Sequence, residues 1–234
     1  MSLHGREKIL VIEDEPKIVR LLRANLESVG YRVAHALAAG EGLRAVEMES
    51  PDLIVLDVML PDGDGYSLCR RIREFSDVPV IMLTAKAGEH EKIRGFQSGA
   101  DDYVTKPFSS AELVERVKAV LKRAGGGASN HGTGELTVGD LTISFSRRKV
   151  FRGATEIKLT PIEYSLLYHL AANAGRVMLH EELLALVWGP EYRNELEYLR
   201  AYIRHLRRKI EVDPSKPEII VSNPGIGYSL AVPQ

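Results

Sequence analysis

The stretch Leu53-Ile54-Val55-Leu56-Asp57 decides the fold, because a short apolar run that ends at a carboxylate is typical of a buried parallel strand. Comparable runs are Ile9 to Ile12, which ends at Glu13-Asp14, and Val80 to Leu83, which ends at Thr84. A fourth segment, Tyr103-Val104-Thr105, leads to Lys106-Pro107. In an open α/β sheet, ligands gather outside the carboxyl ends of the strands. The sequence therefore predicts one crevice that holds three carboxylates, a hydroxyl and an ammonium.

The predicted crevice has the composition of a magnesium site. Three adjacent carboxylates repel one another at neutral pH unless a cation shares the site or one of them is protonated. Every candidate ligand is an oxygen, which favours Mg²⁺ over zinc or copper, and magnesium sites keep open positions for phosphate oxygens. Asp57 is then the candidate nucleophile for an aspartyl phosphate, and Lys106 and Thr84 are the groups that bind the phosphoryl oxygens.

Residues 7 to 123 resemble the receiver domains of bacterial two-component response regulators. The shared motifs are Glu13-Asp14, Asp57 followed by Leu60-Pro61-Asp62-Gly63-Asp64-Gly65, Thr84-Ala85, Gly99-Ala100-Asp101-Asp102-Tyr103 and Lys106-Pro107-Phe108. The resemblance implies a five-stranded, doubly wound parallel sheet of the flavodoxin type. It also implies that Glu13, Asp14, Asp57 and the backbone carbonyl of Met59 hold the metal, that Lys106-Pro107 is cis, and that Thr84 and Tyr103 rearrange when a histidine kinase or a small phosphodonor phosphorylates Asp57.

Length and composition predict two ordinary globular domains. The chain has 234 residues, of which 44% are hydrophobic and 27% are charged. No apolar run approaches the roughly 18 residues of a membrane span, and the N-terminus lacks the apolar core of a signal peptide, so we expect a cytoplasmic protein. The single cysteine, Cys69, excludes an intrachain disulfide and is interpreted as a small residue on a helix face. Five glycines in residues 125–134 predict a flexible linker between domains 1–124 and 135–234.

The second domain contains a basic amphipathic segment. Residues 200 to 209 carry five fixed positive charges and no acid, and Leu196, Leu199, Ile203, Leu206 and Ile210 repeat at helical spacing. On a helical wheel the arginines fall beside Ala201 on the face opposite the apolar stripe. Such a surface attracts phosphate, and a small residue at its centre permits close approach to a groove. The residues predicted to contact DNA are Arg200, Ala201, Arg204, His205, Arg207 and Arg208.

The surrounding segments predict a winged helix-turn-helix. Thr160-Pro161-Ile162-Glu163 is a capping-box start for a helix that ends near Gly175, and a second helix runs from about His180 to Trp188. The basic helix follows, and two short strands, Glu218 to Val221 and Tyr228 to Ala231, flank a turn. In this architecture the third helix enters the major groove.

Residues 135 to 232 resemble the effector domains of the OmpR and PhoB subfamily. The motifs are Leu159-Thr160-Pro161-Ile162-Glu163-Tyr164, Val187-Trp188-Gly189, His205-Leu206-Arg207-Arg208-Lys209-Ile210-Glu211 and Gly225-Ile226-Gly227-Tyr228. Trp188-Gly189-Pro190, Tyr198-Leu199-Arg200 and Asp213-Pro214 are most similar to the potassium-transport regulators of that subfamily. The wing departs from many relatives, which carry arginines where this chain has Pro224 and Ser229. Minor-groove insertion by a wing arginine is therefore not expected.

The two resemblances together imply a phosphorylation-dependent transcriptional regulator that is not an enzyme. Its implied partners are a histidine kinase, duplex promoter DNA, RNA polymerase and, once phosphorylated, a second copy of the chain. The implied dimer face comprises Lys92, Asp101, Asp102, Glu112 and Arg116. Lys92 would pair with Glu112 and Asp102 with Arg116, while Gln97 replaces the acid that would otherwise pair with Lys118.

Two alternatives remain open at the level of sequence. Phosphatases of the haloacid-dehalogenase type also combine an aspartate nucleophile with Mg²⁺, but they need an acid two residues later, where this chain has Met59. The second domain could instead bind protein or RNA. Salt-sensitive binding to a duplex distinguishes the DNA reading, because contacts to phosphates make the logarithm of affinity fall with the logarithm of salt concentration.

Overall fold

The computed structural model describes residues 7–85, 98–124 and 134–232. The chain forms two compact units, residues 1–125 and 126–234. The predicted linker lies outside the described residues except for Gly134. Within the described ranges, no helix combines the length and the apolarity needed to cross a membrane.

The first unit is built on a five-stranded parallel sheet, which confirms the predicted fold class. Its strands are β1 (Lys8–Ile12), β2 (Arg32–Ala36), β3 (Leu53–Asp57), β6 (Val80–Thr84) and β7 (Asp102–Thr105), in the order β2-β1-β3-β6-β7. Every pairing in this sheet is parallel. Helices α1 (Pro16–Ser28), α2 (Ala39–Glu49), α3 (Gly65–Arg73) and α4 (Ser110–Ala124) belong to the same unit. The strand order is that of doubly wound sheets in which ligands bind at the carboxyl ends of the central strands.

The apolar runs become strands because they are buried on both faces. The apolar residues of β3 and Ile9 to Ile12 of β1 have no exposed surface. The core between sheet and helices includes Val11, Val55 and Leu83 from the strands, with Leu22 from α1 and Val117 from α4. Strands covered on both faces require continuous apolar residues, so β1, β3 and β6 carry polar side chains only at their ends.

A two-strand hairpin follows Asp57 and was not predicted. It comprises β4 (Met59–Leu60) and β5 (Gly63–Asp64). Asp62 in its turn accepts hydrogen bonds from the backbone N–H groups of Ala39 at 2.6 Å and Gly40 at 2.9 Å, so this carboxylate ties the hairpin to the start of α2. Asp64 caps α3 by accepting from the N–H of Ser67 at 2.9 Å.

The second unit joins an antiparallel sheet to three helices and a wing. Strands β8 (Glu135–Val138), β9 (Leu141–Ser144), β10 (Lys149–Arg152) and β11 (Thr155–Ile157) form the sheet in the order β11-β10-β9-β8. The helices are α5 (Pro161–Ala172), α6 (His180–Val187) and α7 (Leu196–Ile210). Strands β12 (Met178–Leu179), β14 (Gly227–Leu230) and β13 (Ile220–Asn223) form the wing sheet in that order. This is the predicted winged helix-turn-helix, preceded by a four-stranded sheet, and β12 adds a third strand to the two predicted for the wing.

The capping box at the start of α5 is formed in both directions. The Thr160 hydroxyl accepts from the N–H of Glu163 at 3.4 Å, and the Glu163 carboxylate accepts from the N–H of Thr160 at 2.8 Å. The helix ends at Ala172, three residues before the predicted end at Gly175, where φ is +80°.

The wing turn accounts for the presence of Pro224 and Gly225. Ile226 N–H donates to the Asn223 carbonyl at 3.0 Å, with Pro224 and Gly225 between them and φ of +75° at Gly225. These features are those of a type II turn, which favours proline and then glycine at its two central positions. Gly227 is required for a different reason, since an added Cβ would lie 1.8 Å from the Met178 carbonyl oxygen.

The first wing strand begins two residues later than predicted. The predicted strand spans Glu218 to Val221, whereas β13 begins at Ile220. The N–H groups of Glu218 and Ile219 donate to the Glu211 carboxylate instead of to a neighbouring strand. A side-chain acceptor therefore replaces the strand partner, and hydrophobic pattern alone contains no signal for this exchange.

Candidate functional site

The structure brings the predicted polar residues of the first unit together at the carboxyl ends of β1, β3, β6 and β7. The carboxylates of Glu13, Asp14 and Asp57 each place an oxygen within 4.8 Å of the others. Glu13 and Asp57 are buried, with 1% and 5% of their surfaces exposed, whereas Asp14 is exposed. Two carboxylates thus form the floor of the site, and the third faces solvent.

Lys106 bridges the two buried carboxylates. Its Nζ donates to Glu13 Oε2 at 2.7 Å and to Asp57 Oδ2 at 3.0 Å. The Lys106-Pro107 peptide is cis, as the resemblance implied. Burial by itself lowers the pKa of Lys106, but the hydrogen bonds to Glu13 and Asp57 outweigh this effect and the pKa lies above its ordinary value. Lys106 is therefore a fixed positive charge beside Asp57.

Glu13 is less acidic than an ordinary glutamate. Burial raises its pKa, and the nearby charge of Asp57 raises it further, while the hydrogen bond from Lys106 offsets only part of the increase. The cause is the one expected for carboxylates crowded in a site of low dielectric constant. A divalent cation held by the same oxygens relieves this repulsion, so the donor set fits Mg²⁺.

Backbone contacts hold Asp57 in place. The N–H of Val58 donates to the Leu83 carbonyl at 3.0 Å, and the N–H of Gly65 donates to the Val58 carbonyl at 2.8 Å. An added Cβ at Gly65 would lie 2.1 Å from the Asp57 carbonyl oxygen, so only glycine allows this approach. Met59 is 68% exposed and begins β4, two residues after Asp57.

The two predicted switch residues are both buried. Thr84 ends β6 with 2% of its surface exposed, and its carbonyl accepts from the N–H of Lys106 at 2.6 Å. Tyr103 in β7 is 4% exposed. Thr84 and Tyr103 therefore lie on two adjacent, hydrogen-bonded strands, and Lys106 directly follows the second of them.

The predicted dimer face requires one correction and one qualification. Asp101 has no exposed surface and cannot present its charge to a second chain, because its carboxylate accepts from Arg73 Nη2 at 2.8 Å and from the N–H of Val80 at 2.9 Å. Asp102 is 1% exposed and forms its ion pair with Arg116 at 3.2 Å within the same chain. Arg116 also pairs with Glu112 at 3.2 Å. Lys92 and Gln97 lie outside the described residues.

Some basic side chains of helix α7 face solvent, and others are hydrogen-bonded within the domain. Arg200, Arg204 and Arg208 are exposed, as predicted for a surface that binds phosphates. Lys209 instead donates to the buried Glu163 carboxylate at 2.6 Å and to the Lys158 carbonyl at 3.1 Å. Arg207 is also engaged inside the domain, where its guanidinium donates to the Ile220 carbonyl and the Ser222 hydroxyl. Arg207 is therefore partly exposed and already has hydrogen-bond partners within its own domain.

Ala201 on α7 requires a correction. It is 1% exposed and does not lie at the centre of an open face. Tyr198 and Tyr202 are buried beside it, with ring centroids 6.5 Å and 5.1 Å from that of Trp188. The tyrosines widen the buried arc of the helix beyond the aliphatic stripe, so Ala201 packs in the core. Their aromatic rings were the sequence signal for this, and a pattern based on aliphatic residues alone missed it.

His205 is partly buried on α7, between the exposed Arg204 and the buried Leu206. Burial lowers its pKa to about 4, and the charges of Arg208, Lys209 and Arg204 contribute to the shift. His205 is therefore neutral near pH 7 and can donate or accept one hydrogen bond there.

The comparisons with known proteins agree with both units. Residues 9–118 match the model of the response regulator receiver domain, and residues 154–230 match that of the transcriptional regulatory protein C-terminal domain. The chain is 43% identical over 220 residues to the KDP operon transcriptional regulatory protein KdpE of Escherichia coli (strain K12), covering 94% of this chain and 97% of that protein.

Solved structures support the same assignment. A RitR mutant superposes with a TM-score of 0.77 at 27% identity, and DrrB, an OmpR/PhoB homologue from Thermotoga maritima, with a TM-score of 0.51 at 35% identity. Each comparison covers 97% of this chain and 99% of the other. This chain thus belongs to the OmpR/PhoB family of two-component response regulators and is a KdpE-like, phosphorylation-dependent transcriptional regulator, not an enzyme.

Proposed function

We propose that Asp57 accepts a phosphoryl group from a histidine kinase and that the phosphorylated chain dimerises and binds promoter DNA. The observation that carries this proposal is the contact of Lys106 Nζ with the carboxylates of Asp57 and Glu13 at the carboxyl edge of the sheet. A cation held beside a buried carboxylate is suited to the negative charge that develops on a transferring phosphoryl group.

Asp57 is the nucleophile of the proposed transfer. One of its carboxylate oxygens forms the new bond to phosphorus while the bond between phosphorus and the donor imidazole nitrogen breaks. The second carboxylate oxygen accepts from Lys106 at 3.0 Å, so the side chain is already oriented. Lys106 keeps its proton throughout, in agreement with its raised pKa.

Glu13, Asp14, Asp57 and the Met59 carbonyl are the proposed ligands of Mg²⁺. The geometry of the three carboxylates supports this set, and the exposed Asp14 leaves the outer side open to a phosphodonor. When bound, the ion would supply charge neutralisation for the phosphoryl oxygens. Thr84 would hydrogen-bond one of those oxygens, and the packing of Tyr103 on the neighbouring strand would follow its shift.

The proposed dimer face uses the accessible charges of α4. The Glu112 side chain is 43% exposed and that of Arg116 is 25% exposed, so both are accessible. The buried Asp102 orients Arg116 through their ion pair. Lys92 remains a proposed partner of Glu112. Surface ion pairs contribute only about 0 to 1 kcal/mol each, so these residues would set the register of the dimer and not supply most of its free energy.

The proposed DNA surface comprises Arg200, Arg204 and Arg208, with His205 at its edge. The three arginines are exposed on one side of α7, which is the third helix of the winged fold. RNA polymerase is the proposed further partner once the regulator occupies a promoter. The proposed location is the cytoplasm, where promoter DNA lies in bacteria.

Analytical ultracentrifugation tests the switch. Wild type and Asp57→Ala are compared in Mg²⁺, with and without beryllofluoride as a phosphoryl mimic. We expect only the wild type to shift to a dimer, and only in the presence of both Mg²⁺ and beryllofluoride. An unchanged sedimentation coefficient in the wild type, or an equal response of the variant, would contradict activation through Asp57.

The salt dependence of binding tests the DNA surface. We expect Arg204→Ala and Arg208→Ala each to weaken binding to a duplex and to reduce the slope of log affinity against log salt by about 1, because each removes about one phosphate contact. Lys122→Ala, in the last turn of α4 in the other unit, is the matched control that removes one positive charge. Equal slopes in all three variants would exclude these arginines as phosphate contacts.

A further inference from the structure

The end of the basic helix holds the wing through a buried carboxylate. Glu211 follows the last residue of α7 and is 5% exposed. Its two oxygens accept from the backbone N–H groups of Glu218 at 3.0 Å, Ile219 at 3.0 and 3.1 Å, and Ile220 at 2.8 Å. Three consecutive donors at the start of the wing therefore converge on one side chain. A carboxylate with this many backbone donors is strongly fixed in position.

Arg207, one helical turn before Glu211, donates hydrogen bonds to acceptor oxygens of the same wing strand. Its Nη2 donates to the Ile220 carbonyl at 2.6 Å and to the Ser222 hydroxyl at 2.9 Å, and its Nε donates to the Ile220 carbonyl at 3.2 Å. The guanidinium carbon also lies 5.8 Å from the centroid of the Tyr228 ring on the opposite wing strand. The planar fork of an arginine makes these contacts together, which a lysine ammonium cannot do.

The two side chains act on both polar groups of Ile220. Glu211 accepts from its N–H and Arg207 donates to its carbonyl, so the peptide groups at the start of β13 are held from α7 on both sides. β13 then runs directly into the wing turn at Asn223. The angle between the basic helix and the wing tip is thus set at Ile220, three residues before the turn begins at Asn223.

We propose that Arg207 and Glu211 are positioning residues that set the wing against α7, and that Arg207 supports DNA binding through the wing and not through a phosphate contact. This inference rests on DNA binding by the winged domain. Its unusual consequence is electrostatic: removing the negative charge of Glu211 weakens contact with a polyanion, because the geometry of the wing is lost.

The experiment compares Arg207→Lys with Arg208→Lys, since both substitutions keep the charge. The probe is a duplex that the wild type selects from a random-sequence DNA pool, with beryllofluoride and Mg²⁺ present. We expect Arg208→Lys to bind within about threefold of wild type, because a lysine still neutralises a phosphate. We expect Arg207→Lys to bind about tenfold more weakly, because lysine cannot make the hydrogen bonds of Arg207 to Ile220 and Ser222 together.

Footprinting distinguishes a displaced wing from a damaged domain. Hydroxyl radicals attack deoxyribose from the minor groove, so a wing that lies against the backbone gives protection there without inserting an arginine. Arg207→Lys should lose this protection beside the helix site while it keeps methylation protection of guanine N7 in the major groove. Amide hydrogen exchange of residues 220–222 and 227–230 should accelerate. Equal affinity of the two lysine variants, or loss of both protections together in Arg207→Lys, would overturn the proposal.

Glu211→Gln gives an independent test with the opposite electrostatic expectation. Glu218→Gln, an exposed carboxylate on the same segment, is its control. Charge alone predicts tighter DNA binding by both variants, whereas positioning predicts that Glu211→Gln loses minor-groove protection and Glu218→Gln does not. Wild-type protein that binds no duplex would contradict the proposed function itself. Wild-type protein that binds without any minor-groove protection would overturn only the role assigned to Arg207 and Glu211.

Discussion

Gly65 shows that a residue without a functional group can be required by the site because its backbone packs closely there. Gly65 lies against the backbone of Asp57, where an added Cβ would be 2.1 Å from the carbonyl oxygen. The neighbouring backbone cannot move away easily, because Gly65 N–H is bound to the Val58 carbonyl at 2.8 Å. Gly65, which follows the β4–β5 hairpin, is therefore part of the site, although it carries no functional group.

Gly65→Ala should impair both folding and phosphorylation. We expect the free energy of unfolding of the receiver unit to fall by about 1 to 3 kcal/mol, the usual cost of overpacking, and phosphorylation by acetyl phosphate to slow. Urea unfolding followed by circular dichroism and a phosphorylation time course measure the two effects. Gly63→Ala is the control, because its added Cβ would lie 3.8 Å from Ala39 Cβ, an ordinary contact. Equal behaviour of the two variants would show that the close approach is unimportant.

His205 should make the second unit less stable as pH falls. Its pKa of about 4 in the folded state lies below the ordinary 6.5, so the unfolded chain binds more protons between these values. The stabilisation is complete above about pH 6.5 and is lost as pH falls towards 4, by at most roughly 3 kcal/mol. Unfolding can be followed by fluorescence of Trp188, the single tryptophan, which is buried in this unit.

His205→Gln is the variant that isolates this effect. The difference in unfolding free energy between wild type and variant should change with pH between 4 and 6.5 and stay constant above 7. Subtraction removes the titration of carboxylates, which both proteins share. A constant difference across the whole range would show that His205 keeps an ordinary pKa despite the nearby cations.

At the scale of elements, α5 links the capping box to the basic helix. Glu163 accepts from the N–H of Thr160 at the start of α5 and from Lys209 Nζ on α7 with the same oxygen. The sequence pattern predicted the first contact because its partners are three residues apart. The second joins residues 46 positions apart, so no local pattern indicates it.

Thr160→Ala should weaken the second unit through the helix cap. The substitution removes the side-chain acceptor for the N–H of Glu163, and we expect the free energy of unfolding to fall by about 1 kcal/mol. Urea unfolding followed by Trp188 fluorescence measures the change. Ser146→Ala in an exposed turn is the control. If Thr160→Ala lowers the free energy of unfolding no more than Ser146→Ala does, the bond from the Thr160 N–H to the Glu163 carboxylate is sufficient to cap the helix.

At the scale of the whole molecule, the proposed function couples the receiver to the winged unit through dimer formation. Two tethered DNA-binding units on one dimer bind the second half-site intramolecularly, which can raise affinity about 10²- to 10⁴-fold without a new contact. Phosphorylation should therefore act on DNA affinity only where two half-sites are present.

Duplexes with one and with two half-sites test this coupling. With Mg²⁺ and beryllofluoride, wild-type affinity should rise at least about tenfold on the paired site and stay unchanged on the single site. Asp57→Ala should respond on neither duplex. A similar gain on the single half-site would show that phosphorylation changes the winged unit directly and not through dimerisation.

The sequence by itself determined the two domain types, four of the five strands of the parallel sheet, the crevice with Asp57 and the capping box of α5. These features depend on short patterns, since an apolar run that ends in a carboxylate or a capping motif acts within a few residues. Only the tertiary structure decided where individual charged and small side chains on such elements point. Asp101 and Ala201 are buried, and Arg207 and Lys209 bind the scaffold while Arg204 and Arg208 remain exposed. The physical reason is that the partner of a buried charge is distant in sequence, and its position is set only when the elements pack.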